Sequence, residues 1–264
     1  MSKSNRNEKD HNKYWLQSFE DIAKNYYWES KYDSLSFITY NFLSRRESVI
    51  KLINGANHEL VLDLGCGTGE YYEALSNCTK SYIGLDYSSS MISRAKNKYN
   101  NIGLKPKFIV GSGVKIPFDD NKFDMVCAIG YIQYFIDPSQ TLKEISRVLK
   151  PGGSLIIQSF QNYPFKPLFF GKIRKFLRLI YYKIRNREYL DYSNIPYSKK
   201  ELDKLLYNHG FKIKDYDHSN FIVFPFLKYF PNLYVKLSEI IHNNYSDKFE
   251  RFAVNYNARY NLNK

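Results

Sequence analysis

The stretch from Glu59 to Leu75, ELVLDLGCGTGEYYEAL, leaves the chain few ways to fold. An apolar run ends at Asp63-Leu64. Gly65, Gly67 and Gly69 follow at alternate positions, and a helix-like pattern opens at Glu70. Residues without Cβ let a strand turn sharply into a helix and let the backbone approach a ligand closely. The start of the helix then offers free N–H groups. This arrangement suits a parallel sheet with helices packed on it, whose ligands sit at the carboxyl ends of the strands.

The rest of the chain agrees. Short apolar runs at 59–64, 81–86, 107–112, 123–130 and 154–160 read as strands. Amphipathic runs at 70–77, 89–101, 139–150 and 198–210 read as helices, the second with serines before it as caps. Alternation of this kind predicts an α/β fold with a doubly wound, seven-stranded sheet. FKIKDYD (211–217) and FIVFPFL (221–227) read as a closing pair, antiparallel because only a few residues join them. The expected organisation is a disordered tail at 1–11 and one domain over 12–264. Within it lie a helical cap at 12–56, an insertion at 161–197 and a C-terminal extension at 225–264.

Composition narrows the function. No apolar run is long enough to span a membrane, and MSKSNRNEKDHNK lacks the apolar core of a secretion signal. Cys66, Cys78 and Cys127 have no metal-ligand spacing, and an odd, scattered set fits a reducing cytoplasm. Net charge is +13, but residues 1–160 hold 20 Lys and Arg against 17 Asp and Glu, while residues 161–264 hold 19 against 9. The basic excess therefore belongs to the C-terminal part, and points to an anionic partner or a lysine-rich surface.

A dinucleotide site requires G-x-G-x-x-G, with Gly or Ala at position 70. Position 70 is Glu, whose carboxylate would repel a pyrophosphate. Asp63 can pair with a ligand amine. Asp86, ending the second strand, is placed to accept bonds from both hydroxyls of a ribose. Both suit a nucleoside that carries an amino acid. In order, VLDLGCGTG, IGLDYS, GVKIPFDDNKFDMV and LKEISRVLKPGGSLII resemble the motifs of class I S-adenosylmethionine-dependent methyltransferases, in the small-molecule branch that includes ubiquinone and menaquinone C-methyltransferases. The resemblance covers residues 60–160 strongly and 198–224 weakly.

That resemblance implies a Rossmann-like fold and S-adenosyl-L-methionine as cofactor. It implies that Asp63, Gly65 and Gly67, flanked by Cys66 and Gly69, hold the methionine end. Asp86 grips the ribose, and Tyr87 or Met91 packs near the adenine. Ala128, Ile129 and Gly130 line the methionine end. The family's usual Gly-Asp-Ala after the third strand is here Gly111-Ser112-Gly113, so Ser112 offers the adenine an uncharged acceptor and weaker contacts.

The expected reaction is O- or C-methylation of a small acceptor: a sugar, an aromatic or a lipid-linked compound. Tyr131, Gln133 and Tyr134 follow the fourth strand, and Gln161 and Tyr163 the fifth, on the edge where an acceptor would bind. His218, read as a turn between the last two strands, is the general-base candidate, with an exposed turn histidine as the plain alternative. Residues 165–187 form a basic amphipathic pattern, which reads as a lid over the acceptor, a membrane-surface contact or a helix packed on the sheet. An RNA methyltransferase is the alternative that the charge allows. However, AIGYIQYF lacks the Asn/Asp-Pro-Pro-Tyr/Phe tetrapeptide of exocyclic-amine methylation, which weighs against nucleic acid. A non-catalytic scaffold that only binds the cofactor is a further alternative. A cytoplasmic monomer or homodimer, with peripheral membrane contact through 165–187, completes the expectation.

Overall fold

The computed structural model describes residues 8–24, 37–53, 57–101, 106–161, 194–221 and 230–263. Seven strands form one sheet: β1 (His58–Leu64), β2 (Thr79–Asp86), β3 (Lys107–Val110), β4 (Phe123–Ile129), β5 (Leu149–Phe160), β6 (Phe211–Phe221) and β7 (Ala253–Leu262). Their spatial order is β3-β2-β1-β4-β5-β7-β6. β1 to β5 run parallel, and β7 is antiparallel to both β5 and β6. The order reverses between β1 and β4, which opens a crevice at their carboxyl ends.

Both faces of the sheet are covered, so the central strands are apolar on both sides. Leu62, Leu64, Val126, Ala128, Leu155 and Ile157 share one core with α5 (Ser139–Val148) and α6 (Lys199–Tyr207). Val61, Met125, Cys127, Ile129 and Ile156 share the other with α2 (Phe37–Ile53), α3 (Tyr72–Ser76) and α4 (Ser89–Lys98). α4 starts where the serines predicted a cap, Ser88 Oγ accepting from Met91 N at 3.1 Å. α6 starts with a capping box between Ser198 and Glu201. No described helix is long and apolar enough to cross a membrane.

Two expectations change. The segment 221–227 is not the last strand. β6 continues to Phe221, and the seventh strand lies beyond α7 (Pro231–Tyr245), inside the stretch read as a C-terminal extension. Its sequence, AVNYNARYNL, alternates with period two, but three of the five residues on one face are asparagines, which suggest solvent. Two of them are buried instead: Asn255 Nδ2 donates to Asn41 Oδ1 at 2.8 Å and Asn257 Nδ2 to Ser48 Oγ at 2.8 Å, both on α2. α2 thus brings a polar stripe to a polar sheet face, and the amide nitrogens of Asn255 and Asn257 each have acceptors. In addition, α1 (Glu8–Lys24) begins within the stretch expected as a tail. His11 is buried, and its Nε2 donates to the Tyr134 carbonyl at 2.7 Å.

Candidate active site

A cavity of about 310 Å³ lies at the carboxyl edge of β1, β2 and β4, beneath α1 and α2. The glycine turn, β2 and the loops after β3 and β4 form its floor. Asp86 ends β2 there. Its Oδ2 accepts from Gly67 N and its Oδ1 from Ser88 N, each at 2.9 Å. Burial pushes the carboxyl above the ordinary carboxylate range, against these two backbone bonds, and Glu20 adds a nearby negative charge. Each oxygen keeps a lone pair for a further donor.

The three glycines of the turn do different work. A Cβ on Gly65 would sit 2.4 Å from Tyr131 Cδ2, and one on Gly69 2.7 Å from the Tyr99 ring. These two positions are small because aromatic rings of the same chain fill the space. Gly67 has nothing within 4 Å of such an atom, so this is where the turn opens. The cavity thus combines an open turn at Gly67, the Asp86 carboxyl at the end of β2 and a buried cation, Arg45, features compatible with a nucleoside bearing an amino acid.

The family model described as a methyltransferase domain matches residues 62–157. A demethylmenaquinone methyltransferase of Oceanobacillus iheyensis is 34% identical over 202 residues, covering 69% of this chain and 82% of that protein. A protein of the same name from Chlorobaculum tepidum is 30% identical over 213 residues, covering 75% and 84%. The chain belongs to the S-adenosylmethionine-dependent methyltransferases. Solved structures agree on the fold. The putative methyltransferase in complex with the Haloferax volcanii Trm112 activator matches at TM-score 0.63 and 19% identity, over 93% of this chain and 98% of that one. A methyltransferase of Thermotoga maritima, described as a possible histamine N-methyltransferase, matches at TM-score 0.57 and 20% identity, over 93% and 98%.

In this methyltransferase Gly65, Cys66, Gly67, Asp86, Tyr87, Met91, Ser112, Gly113 and Ile129 line the cavity, as do Tyr131 and Tyr134. Tyr87 stands at its mouth, 59% exposed. Gly69 does not line it, and Gln133 is buried beside it. Gln161 lies outside the lining, its backbone N bonded to Val254 O at 2.8 Å. Tyr163 and the basic pattern at 165–187 lie outside the described residues. His218 does not reach the cavity. It is 1% exposed within β6, opposite Tyr256 of β7, with β7 and β5 between it and β4. At a strand spacing of about 4.8 Å it stands roughly 14 Å from β4. The turn assumed for it does not exist, because β6 runs through it. Burial pushes its imidazole below the ordinary histidine range, with nearby Glu250 and Asp217 opposing.

Asp63 is also displaced from its expected role. Alternation along β1 turns it away from the cavity, 1% exposed, and it accepts from Tyr82 Oη at 2.8 Å. Burial pushes its carboxyl up to about 7; the Tyr82 bond opposes this and the Asp86 charge adds to it. A carboxyl raised above its unfolded value favours folding while protonated. Its contribution is complete below about pH 4 and is lost as pH rises through about 7. Asp63→Asn keeps an acceptor for Tyr82 and removes the charge. It raises stability at pH 8 by roughly 2 kcal/mol and at pH 5 by much less. Urea unfolding at the two pH values measures this, and equal changes at both would refute the buried charge.

The sequence suggested a helical cap at 12–56 but named none of the residues that it turns to the cavity. Trp15, Leu16 and Phe19 of α1 and Phe42 and Arg45 of α2 all face the cavity. Trp15 and Phe19 close on Tyr134, with ring centroids 4.5 and 5.0 Å away. Ser90 donates to Glu20 and Arg94 to the Ala23 carbonyl, tying α1 to α4. The aromatic spacing in YWLQSF was the available signal: Trp15 and Phe19 stand four apart, on one helix face.

Proposed function

We propose that this methyltransferase moves the methyl group of S-adenosylmethionine to a ring carbon or a hydroxyl oxygen of a small aromatic acceptor of the quinol type, releasing S-adenosylhomocysteine, with the proton of the methylated position lost to solvent. The observation that carries this reading is the aromatic wall of Trp15, Phe19 and Tyr134 at the end of the cavity next to Gly130, where β4 ends. Edge-to-face rings favour a flat apolar guest over a hydrated sugar. The relatives named demethylmenaquinone methyltransferase support the same acceptor class.

The bound donor supplies an electrophilic methyl on a sulfonium. The chain's part is to place it and exclude water. When the donor is bound, Asp86 would accept its two ribose hydroxyls, Met91 and Tyr87 would flank its adenine with Ser112 by the edge, and Ile129 and Gly130 would border its methionine end. α1 roofs the cavity, and its rings would hold the acceptor in line. Among the described lining residues the only acids are Asp86 and Glu70, and there is no histidine. Glu70 is occupied, accepting from Thr68 Oγ at 2.7 Å and Lys98 Nζ at 3.2 Å. The part of the rate enhancement that these described residues would supply is alignment and desolvation.

The test is transfer of labelled methyl to a short-chain demethylated naphthoquinol, with a sugar nucleotide and bulk RNA as competitors. Label in the naphthoquinol is expected, and label in either competitor instead refutes the acceptor class. Trp15→Ala raises the acceptor KM about tenfold while affinity for S-adenosylhomocysteine stays within about threefold. An equal loss in both would make Trp15 merely structural.

A further inference from the structure

We infer that His242 is a proton-controlled junction between α7 and the cap: a proton on its ring moves its tie from Lys51 of α2 to Asp217 of β6. The three groups meet at one atom. His242 Nε2 lies 3.3 Å from Lys51 Nζ, and 3.0 and 3.2 Å from the two carboxylate oxygens of Asp217. An imidazole nitrogen either carries a hydrogen or offers a lone pair. With a lone pair, Nε2 accepts from the Lys51 ammonium. With a hydrogen, it donates to Asp217. A charged ring carries hydrogens on both nitrogens, so it bonds Asp217 and has nothing to offer Lys51. It also sets a second cation beside the first, which repels Lys51.

The surroundings give this choice its consequence. His242 is 9% exposed, so its neighbours rather than water answer its charge. Burial alone would raise the Asp217 carboxyl; bonds from His242 and Ser48 and the charge of Lys51 outweigh it and hold the group below the ordinary carboxylate range. Asp217 therefore stays charged while a histidine titrates. Lys51 stands in the last turn of α2 and is exposed, so it can swing into water. Among the described residues, the other charged groups of the packed elements are paired or turned outward. Arg259 of β7 donates to Asp215 of β6 at 2.7 Å, and Arg46 of α2 to Glu73 at 3.2 Å. Arg45 turns to the cavity. Glu47 of α2, Lys212 and Lys214 of β6, and Lys236 and Glu239 of α7 are exposed, as are Asp247, Lys248, Glu250 and Arg251 beyond α7. β7 adds Asn257, bonded to Ser48, and β6 adds the Phe221 ring, 6.2 Å from the imidazole. The other half of α2 brings Phe42 to the cavity. Acidification thus frees the last turn of α2 from α7, loosening the element that roofs the site, while α7 stays on the sheet.

NMR of the His242 ring, with amide exchange of α2 and α7, tests this in the wild-type, Lys51→Met, Asp217→Asn and His242→Gln chains. Lys51→Met raises the titration midpoint of the ring by about half a pH unit or more, because a repelling cation is gone, and Asp217→Asn lowers it by about one. In the wild-type chain the last turn of α2, corrected for intrinsic exchange, opens about 3- to 10-fold more readily below the midpoint than above it, and α7 does not. His242→Gln abolishes that difference. An unchanged midpoint in Lys51→Met overturns the inference, since Lys51 would then be a bystander to a fixed His242–Asp217 bond. A raised midpoint with no pH dependence of α2 exchange in the wild-type chain also overturns it, because the pair would titrate without moving the helix. So does the same dependence in His242→Gln as in the wild type. Lys51→Met changes only an exposed side chain, so the decision does not depend on whether Asp217→Asn folds.

Discussion

Asp86→Ala lowers affinity for S-adenosylhomocysteine by about 100-fold or more. The carboxylate stands at the end of β2, where the sheet opens, and each oxygen already accepts one backbone N–H, from Gly67 or Ser88. Those bonds fix its plane before any ligand arrives, and the remaining lone pairs face the cavity. A hydrogen bond to a charged acceptor contributes about 1.5–3 kcal/mol, so two ribose hydroxyls together account for at least a hundredfold. Asp86→Asn falls between, since the amide accepts at one atom and turns an N–H₂ toward a backbone donor. Acidification adds a second signature. Burial raises the carboxyl above the ordinary range, and only the charged form grips the diol well. Affinity therefore weakens on lowering pH earlier than an ordinary carboxylate would allow, and the Asn variant loses that dependence. Titration calorimetry at several pH values measures both effects. Full affinity in Asp86→Ala would place the ribose elsewhere.

The parts of this site legible in the sequence are those built by contiguous stretches. The strand, the glycine turn and the acid ending the next strand follow from backbone geometry, and they bring Asp86, Gly67 and Met91 to one cavity. Side-chain direction was harder to read. Asp63 sits in the same motif, yet strand alternation turns it into the core toward Tyr82. The roof was illegible for a different reason. Arg45 stands in LSRRES, where two adjacent arginines suggest a solvated face, and only the distant Tyr71 and Gly130 reveal that one of them is enclosed. β7 shows the same limit. Its asparagines indicate solvent until Asn41 and Ser48 of α2 are brought across more than 200 residues to meet them.

Gly65→Ala destabilises the fold by about 4 kcal/mol, whereas Gly67→Ala costs about 1 kcal/mol. Both residues have positive φ, +75° and +53°. An L-residue in that region costs about 1–2 kcal/mol, so conformation alone would make the two substitutions alike. Their surroundings separate them. The new methyl at position 65 would lie 2.4 Å from the Tyr131 ring, while at position 67 it meets nothing within 4 Å. Tyr131 has little room to retreat: a Cβ on Gly113 would sit 2.2 Å from its hydroxyl, and its ring also meets Phe135 at 5.0 Å. Overpacking of this kind adds about 1–3 kcal/mol. Tyr131→Ala alone loses a large aromatic contact, about 3 kcal/mol. Combined with Gly65→Ala it removes the clash, so the double variant is less destabilised than the sum of the singles by about 2 kcal/mol. Denaturant unfolding of the four variants decides this. Strict additivity would mean that the first glycine is small to admit the ligand. The expected coupling means that Tyr131 occupies the first glycine and that the cofactor meets the turn at Gly67, where Asp86 already holds the backbone N–H.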